Sequence, residues 1–500
     1  VATFTPVKNH HHSSIVRAVC TFALLLAVAP QLSAQPDTAT VLDAYVRATL
    51  RSTRIPGLAL GVVRGDHVDY VKGYGVAGPD GRPVTAQTPF VLGSTSKSFT
   101  ALAIMQLVEE GVVSLDAPVT RYLPWFRTAD AEASAKISVR HLLYQTSGLR
   151  TNEGRRWLSD NDQSSGALEQ GVRELRRAPL RQAAGERFEY SNENYNVLGL
   201  IVQVVSGISY EDYIRTHIFS PLQMRQSAAA LSDAAAIGLA SGYRSWLGWP
   251  VAFEAPYPRR ATPAGLLISS ADDMTRYLIA HLNGGRSAKR QILSSQGVAA
   301  LHAPGAPIVP GIAYGMGWAI RTAPGPTTIW HDGDESNFHS HVRLIPEKRL
   351  GVVVLMNVGG TGNEAEIGRL VEGITGILLG HPQDAPTGSL WPSLSQLGVL
   401  APLGIAVLWA GLCRRSLKAW RINRTEPRGV DRVWRVYLPL AVELATLGII
   451  WILVPARVQT PAATIALFAP DVFVIGIAVT AIAVGCATAR GKSLFPRSRH

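Results

Sequence analysis

The 500-residue chain has three cysteines, and none falls between residues 35 and 385. That stretch therefore carries no disulfide and no thiolate metal site, and its roughly 350 residues are enough to bury a core without covalent staples. Lysine is scarce, at eight residues. No Gly-x-Ser-x-Gly elbow and no His-Glu-x-x-His pair occurs, so two common hydrolase chemistries lack their signatures. No internal repeat is visible. The one metal-like tract, His10, His11 and His12, precedes an export signal and is expected to be lost with it. Nothing calls for a cofactor or a metal.

The chain has long apolar runs instead, at both ends. Residues 15 to 34 read as a secretory signal peptide: Arg17, then Phe22 to Ala29, then Leu32-Ser33-Ala34 as a cleavage site. Cys20 lies before the apolar core and lacks the setting of a lipid-attachment site. Near the other end, residues 394–413, 436–454 and 470–489 are each about 20 residues, long enough to cross a bilayer as helices. Trp391, Trp409, Trp434, Tyr437 and Trp451 fall near the ends of these runs, as an aromatic belt does. Within the second run lies Glu443, for which a protonated carboxyl facing the bundle is the plainer account. Asp471 is expected at an outer helix start after Pro470.

Charge follows the same division. The connection 414–435 carries eight basic residues against Glu426 and Asp431, and the tail adds Arg490, Lys492, Arg497 and Arg499, so most of the formal +12 sits there. By the positive-inside rule these segments face the cytoplasm and the region before them lies outside, where the signal peptide also sends it. A basic excess in that position speaks for a membrane, not for nucleic acid. The expected organisation is a signal peptide at 1–34, a soluble domain at 35–385 and a membrane region at 386–500 with three spans.

Inside the soluble domain, residues 38–52 read as an amphipathic helix. Leu58 to Val63 and Val68 to Val76 read as strands joined at Arg64-Gly65-Asp66. The middle is mostly helical. Strand signals return at 315–320, 327–331, 341–344 and 351–356, and a helix over 364–379 presents Ile367, Leu370, Val371, Ile374 and Leu378 on one face. Strands at both ends with helices between imply a sheet assembled from distant segments.

Three short blocks can carry chemistry. In the run 93–99, Ser94 and Lys97 stand one helical turn apart at the mouth of an apolar helix. A lysine so placed is partly desolvated, its pKa falls, and it can take the serine proton without a histidine. Tyr190-Ser191-Asn192 precedes a helix over 194–205. Capping by Ser191 or Asn192 is the commoner use of such residues. The alternative sends the Tyr190 phenol and the Asn192 amide into a cleft beside Lys97, where a tyrosine loses its proton more easily and relays it. Finally, His331-Asp332-Gly333-Asp334-Glu335 ends a β-rich run. A histidine on a strand is more often structural than catalytic, but Gly333 permits close backbone approach and leaves N–H groups such as that of Asp334 available.

Taken together, Ser94/Lys97, Tyr190/Asn192 and His331/Gly333 resemble the Ser-x-x-Lys, Tyr-x-Asn and Lys/His-x-Gly motifs of the serine β-lactamase and penicillin-binding protein superfamily, in its class C-like branch. Stretches 141–149, 263–274 and 314–318 look like it too, and the resemblance covers residues 38–380. It implies an α/β (α+β) fold with an antiparallel sheet flanked by helices and a mostly helical lobe. It also implies that Ser94 forms an acyl-enzyme, that Lys97 and Tyr190 share the proton transfers, and that Asn192 positions substrate. The oxyanion hole would come from the N–H groups of Ser94 and Asp334, with Gly333 on the substrate strand. Which of Lys97 and Tyr190 is the base stays open.

The chain departs from the family where lysine usually opens the third motif. His331, flanked by Asp332, Asp334 and Glu335, offers a substrate carboxylate little attraction, so an ester, amide or amine-bearing peptide is expected over a typical penicillin. Gln145, where histidine is common, puts nothing catalytic in doubt. The expectation is a membrane-anchored extracytoplasmic serine hydrolase acting on peptidoglycan-related peptides, amides or esters. The rival is a non-hydrolytic penicillin-binding sensor or scaffold for cell-wall peptides, whose short cytoplasmic loop would require a membrane partner.

Overall fold

The computed structural model describes residues 37–156, 158–288, 290–359, 364–381, 384, 398–423 and 429–494. Residues 1–34, where a signal peptide is expected, and most of the linker expected before the C-terminal helices, with Trp391, lie outside the described residues.

An eight-stranded antiparallel sheet organises the part of the chain before the C-terminal helices. Its strands are β1 (Gly57–Arg64), β2 (His67–Gly75), β3 (Ala306–Val309), β4 (Ile312–Tyr314), β5 (Ala319–Arg321), β6 (Thr328–Asp334), β7 (His339–Ile345) and β8 (Leu350–Met356). They lie in the order β2-β1-β8-β7-β6-β5-β4-β3. The joint between chain ends is β1 against β8, from Leu58 opposite Met356 to Arg64 opposite Leu350. Alternation assigns the two faces. Leu58, Leu60 and Val62 join Val352 and Val354 beneath α1 (Thr38–Thr53), which contributes Leu42 and Val46 to that core layer. Ala59, Val63, Val353 and Leu355 face the opposite layer, which holds most of the helices. Covered on both faces, β1 and β8 read as continuous apolar runs.

Two helices from the middle of the chain matter most. Helix α2 (Ser96–Glu109) is buried along nearly its whole surface, as its apolar composition implies. Helix α3 (Asn192–Ser206) packs beside it, also largely buried. Helix α4 (Ala271–Leu282) lies against β1 and β8 and carries Met274 and Leu278 into the core. Helix α5 (Glu364–Leu378) returns to the α1 layer with Ile367, Leu370, Val371, Ile374 and Leu378 buried.

The stretch 315–320 departs from expectation. Gly315 N donates to Trp318 O at 2.7 Å and Gly317 has φ +81°, so a turn joins β4 to β5 where one strand was expected. A three-residue strand, Pro89–Val91, pairs with Ile268–Ser270 and delivers the chain into the turn before α2.

In the C-terminal region, two helical stretches are long and apolar enough to cross a membrane, Val433–Arg457 and Pro470–Gly491. The expected span 394–413 is described only from residue 398. There α6 (Ala401–Asn423) runs on through Arg414, Arg415 and Lys418, leaving an uncharged helical stretch of about 20 Å against the ~30 Å of a bilayer core. It packs along α7 (Pro470–Leu494), with Ala406 against Ile475 and Val479. Glu443 is not alone in the bundle. It faces the bundle as expected, but it pairs with Arg490 and accepts from Trp409 Nε1 at 3.1 Å, an ion pair in place of the expected protonated carboxyl.

Candidate active site

Ser94 sits in a single 3₁₀ turn, Gly93–Thr95, between the short strand ending at Val91 and the first turn of α2. The turn is held from several sides: Leu92 N donates to Leu267 O at 2.8 Å, and Thr95 Oγ1 bonds Ser340 Oγ at 2.8 Å on β7. Its other neighbour is β6. Strand β5 pairs with β6 only over Thr328–Trp330, while β7 pairs with it as far as Asp334. Residues 331–334 therefore leave one backbone edge without a strand partner among the described residues, and the Ser94 turn packs on the sheet face beside it, over Gly333 and Ser340. A Cβ on Gly333 would stand 1.9 Å from Leu92 O, and one on Gly93 (φ +55°) would stand 2.9 Å from Asp334 N. Glycine is required at both positions by close backbone approach.

The side chains converge on one hydroxyl. Lys97 Nζ, fully buried, lies 3.0 Å from Ser94 Oγ, 2.8 Å from Asn192 Oδ1 and 2.7 Å from Ala264 O. Tyr190 OH donates to Ser94 Oγ at 2.9 Å. Asn192 Oδ1 and the Ala264 carbonyl can only accept. A neutral Lys97 amine must spend both its N–H groups on them, and its lone pair is then left for the Ser94 hydroxyl proton. The arrangement suits an amine that accepts a proton, with its orientation fixed by two acceptors.

Electrostatics favour that neutral form. Burial pushes the Lys97 ammonium down to about 7, against the pull of the Glu335 carboxylate. Glu335 is itself pushed up to about 8 by burial, with Lys97 opposing. Tyr190 goes the other way from expectation. Burial raises its pKa, Asp334 and Glu335 add to the rise, and the opposing hydrogen bond to Ser94 and charge of Arg155 do not cancel it. The phenol therefore keeps its proton, because desolvation of a phenolate outweighs the groups that favour it, Ser94 and Arg155.

The segment 190–192 is not a cap. Ser191 occupies the N-cap position of α3 without a side-chain cap bond, and its Oγ donates to Arg150 O at 3.0 Å. Asn192 turns to Lys97. Gln145, at φ +59°, accepts from Ser191 N at 2.9 Å and also from Asn194 Nδ2, so it fastens the segment that carries Tyr190 and Asn192.

His331 is buried and neutral, its pKa lowered to about 4 by burial and by Lys97, with the nearby carboxylates too weak to reverse it. Its Nδ1 bonds the Asp332 carbonyl at 2.6 Å and its Nε2 meets Tyr314 OH at 3.1 Å. With Nδ1 as the donor, Nε2 accepts from the tyrosine. The carboxylates of Asp332 and Asp334 are turned to β7, to His341 Nδ1 at 2.7 Å and His339 Nδ1 at 2.5 Å. They flank the strand without pairing with His331.

Ser94, Tyr190, Asn192, His331 and Asp334 thus line one cleft, a cavity of about 880 Å³, while Lys97 is fully buried against Ser94 and Asn192. Sequence reasoning missed Tyr314, Gln145 as a tether, Arg155 and the Ala264 carbonyl. Tyr314 and Ala264 lie in stretches that had drawn notice, but a backbone acceptor has no residue-type signal. Among the described residues no group of three or more His, Cys, Asp or Glu side chains could hold a metal ion.

This geometry has relatives. The beta-lactamase family model matches residues 42–374, so the chain belongs to the beta-lactamase family. It is similar to Protein flp of Staphylococcus aureus strain MW2, 27% identical over 394 residues covering 77% of this chain and 76% of that one. Penicillin-binding protein 4 of Amycolatopsis lactamdurans is 29% identical over 315 residues, 61% of this chain and 81% of its own. Among solved structures, an octameric penicillin-binding protein homologue from Pyrococcus abyssi superposes with TM-score 0.59 at 30% identity, covering 68% of this chain and 77% of its own. The hydrolase EstCE1, described as having promiscuous acyltransferase activity, superposes with TM-score 0.59 at 24% identity, over 68% of this chain and 98% of its own, which speaks for the fold.

Proposed function

We propose that residues 35–385 form an extracytoplasmic serine hydrolase, held at the membrane by residues 386–500, that acts on peptide, amide or ester substrates through a Ser94 acyl-enzyme. The observation that carries this reading is the Lys97 amine, whose two fixed acceptors leave its lone pair for Ser94. Ser94 Oγ attacks the substrate carbonyl carbon and its proton passes to Lys97 Nζ. The N–H groups of Ser94 and Asp334 receive the developing oxyanion. As the bond to the leaving group breaks, Tyr190, which holds its proton at neutral pH, supplies it to the leaving atom and is reprotonated from Lys97. Water then cleaves the serine ester, releasing the acid and restoring the hydroxyl. Lys97 is thus the base and Tyr190 the donor.

A neutral His331 gives a substrate carboxylate no counter-charge, which favours esters, amides or amine-bearing peptides over penicillins. The rival reading, a non-hydrolytic penicillin-binding sensor, predicts a different fate for the same adduct. A fluorophosphonate and a fluorescent penicillin applied to the full chain separate them. Ser94-dependent labelling, with release of the penicilloyl group, supports the enzyme; a permanent penicilloyl adduct supports the sensor; no labelling by either probe rejects both.

A further inference from the structure

The membrane region forms part of the lining of the cleft beside Ser94. Val454, Val458, Ile465, Phe468 and Val472 line it together with the polar cluster. This wall is clasped to the soluble domain by polar bonds at its rim. Arg155 Nη1 donates to Val458 O at 3.0 Å and Thr460 Oγ1 at 2.6 Å, Thr464 Oγ1 donates to Arg155 O at 2.7 Å, and Leu247 N donates to Asp471 Oδ2 at 3.1 Å. Asp471, in the first turn of α7 as expected, thus fastens the helix start to the domain.

A second cavity, about 590 Å³, lies among the C-terminal helices. Val399, Val454, Ile465 and Val472 line both cavities, so the two adjoin. Together they grade from polar to mostly apolar: Ser94, Tyr190, Asn192 and His331 at one end, and at the other mainly aliphatic and aromatic side chains between two membrane-length helices, with Glu443, paired with Arg490, among the lining. A peptide lying along the aliphatic wall would leave amides without partners there. A hydrocarbon chain would exchange lipid for aliphatic side chains and lose nothing.

We infer that the substrate is an acyl ester with a long hydrocarbon chain, drawn from the bilayer, whose chain lies between the C-terminal helices while its carbonyl meets Ser94. This rests on the acyl-transfer reading of Ser94. The reaction consumes one water. The acyl carbon passes to Ser94 Oγ as its bond to the alcohol oxygen breaks, the alcohol leaves with a proton, and hydrolysis of the serine ester yields the fatty acid.

The test uses the full chain in phosphatidylcholine nanodiscs, first labelled with a fluorophosphonate to establish Ser94 reactivity. Hydrolysis of 4-methylumbelliferyl palmitate in the disc is then compared with that of 4-methylumbelliferyl acetate in solution. The palmitate-to-acetate ratio of kcat/KM is expected to exceed one by about tenfold or more, to fall about tenfold in Ile465→Gln, and to recover in Ile465→Leu. Val472→Gln serves as a second wall variant should Ile465→Gln fail to fold. A wild-type ratio at or below one, or a ratio unmoved in a glutamine variant that still labels, overturns the proposal alone. Absence of both labelling and hydrolysis overturns the acyl-transfer reading beneath it.

Discussion

The two walls of the cleft are made differently. The inner wall ties Ser94, Lys97, Tyr190 and Asn192 together by side-chain hydrogen bonds between 2.8 and 3.0 Å, drawn from a turn, two buried helices and the segment that leads into α3. The outer wall meets the domain through polar bonds at its rim and presents aliphatic side chains inward. Each inner group is positioned by a partner that fixes its protonation or direction, so a small change there alters chemistry. The outer groups act by shape and polarity, so a change there alters what reaches the chemistry. The third motif stands between them: its backbone edge belongs to the inner wall, while a neutral His331 in place of a cation bears on selection.

The largest break in this comparison is expected from Lys97→Met. Loss of the base should lower kcat/KM for a short ester on the order of 10³–10⁴-fold. Stability should move the other way. The folded pKa of Lys97, about 7, lies below its ordinary 10.5, so between those values the unfolded chain binds the extra proton. Wild-type stability therefore rises as pH goes from about 7 to about 10.5, and the desolvation cost is largest below 7. Thermal melts across this range should show Lys97→Met with a higher Tm at pH 6 and without that rise. A lower Tm at pH 6 would contradict the assignment of Lys97 as a buried, costly cation.

A smaller effect tests selection. His331→Lys should raise penicillin turnover by about tenfold or more, the worth of one charged hydrogen bond, with short-ester hydrolysis as the reference. Penicillin turnover in the unaltered protein above that of the variant would sink the idea that His331 disfavours carboxylates. Smaller still is the shift from Glu335→Gln. Glu335 favours the charged form of Lys97, so its removal should move the acid limb of the kcat/KM–pH profile to lower pH. A limb displaced to higher pH rules out that coupling.

The smallest effect belongs to the outer wall. Asp471→Ala removes the acceptor for Leu247 N and should weaken the clasp by about 1 kcal/mol. Hydrogen exchange at residues 243–249 should quicken while exchange in α2 stays as it was; equal changes in both would mean that the two walls are not separate units.

Much of this arrangement was legible in the residues. The β1–β2 hairpin announced itself through two β-rich runs around Arg64-Gly65-Asp66, and α2 through an apolar run with Ser94 and Lys97 at its mouth. Other parts were not legible, for physical reasons. Pro89–Val91 and Ile268–Ser270 are too short to show a period, yet they aim the Ser94 turn. Tyr190 gains its raised pKa from burial by segments distant in sequence, which a neighbouring lysine in a motif does not disclose. The outer wall was hidden because Val454 and Val472 have the same composition whether they face lipid or a cleft. Gly315 to Ile320 misled because an apolar run punctuated by Gly317 serves a turn as well as a strand.

The most direct measurement is the intact mass of the full chain, rapidly quenched with acid during turnover of a short p-nitrophenyl ester. One added acyl group, mapped by proteolysis to Ser94, declining as substrate is exhausted and absent in Ser94→Ala, is the predicted result. Ester turnover with no adduct on Ser94, persisting in Ser94→Ala, would contradict the account.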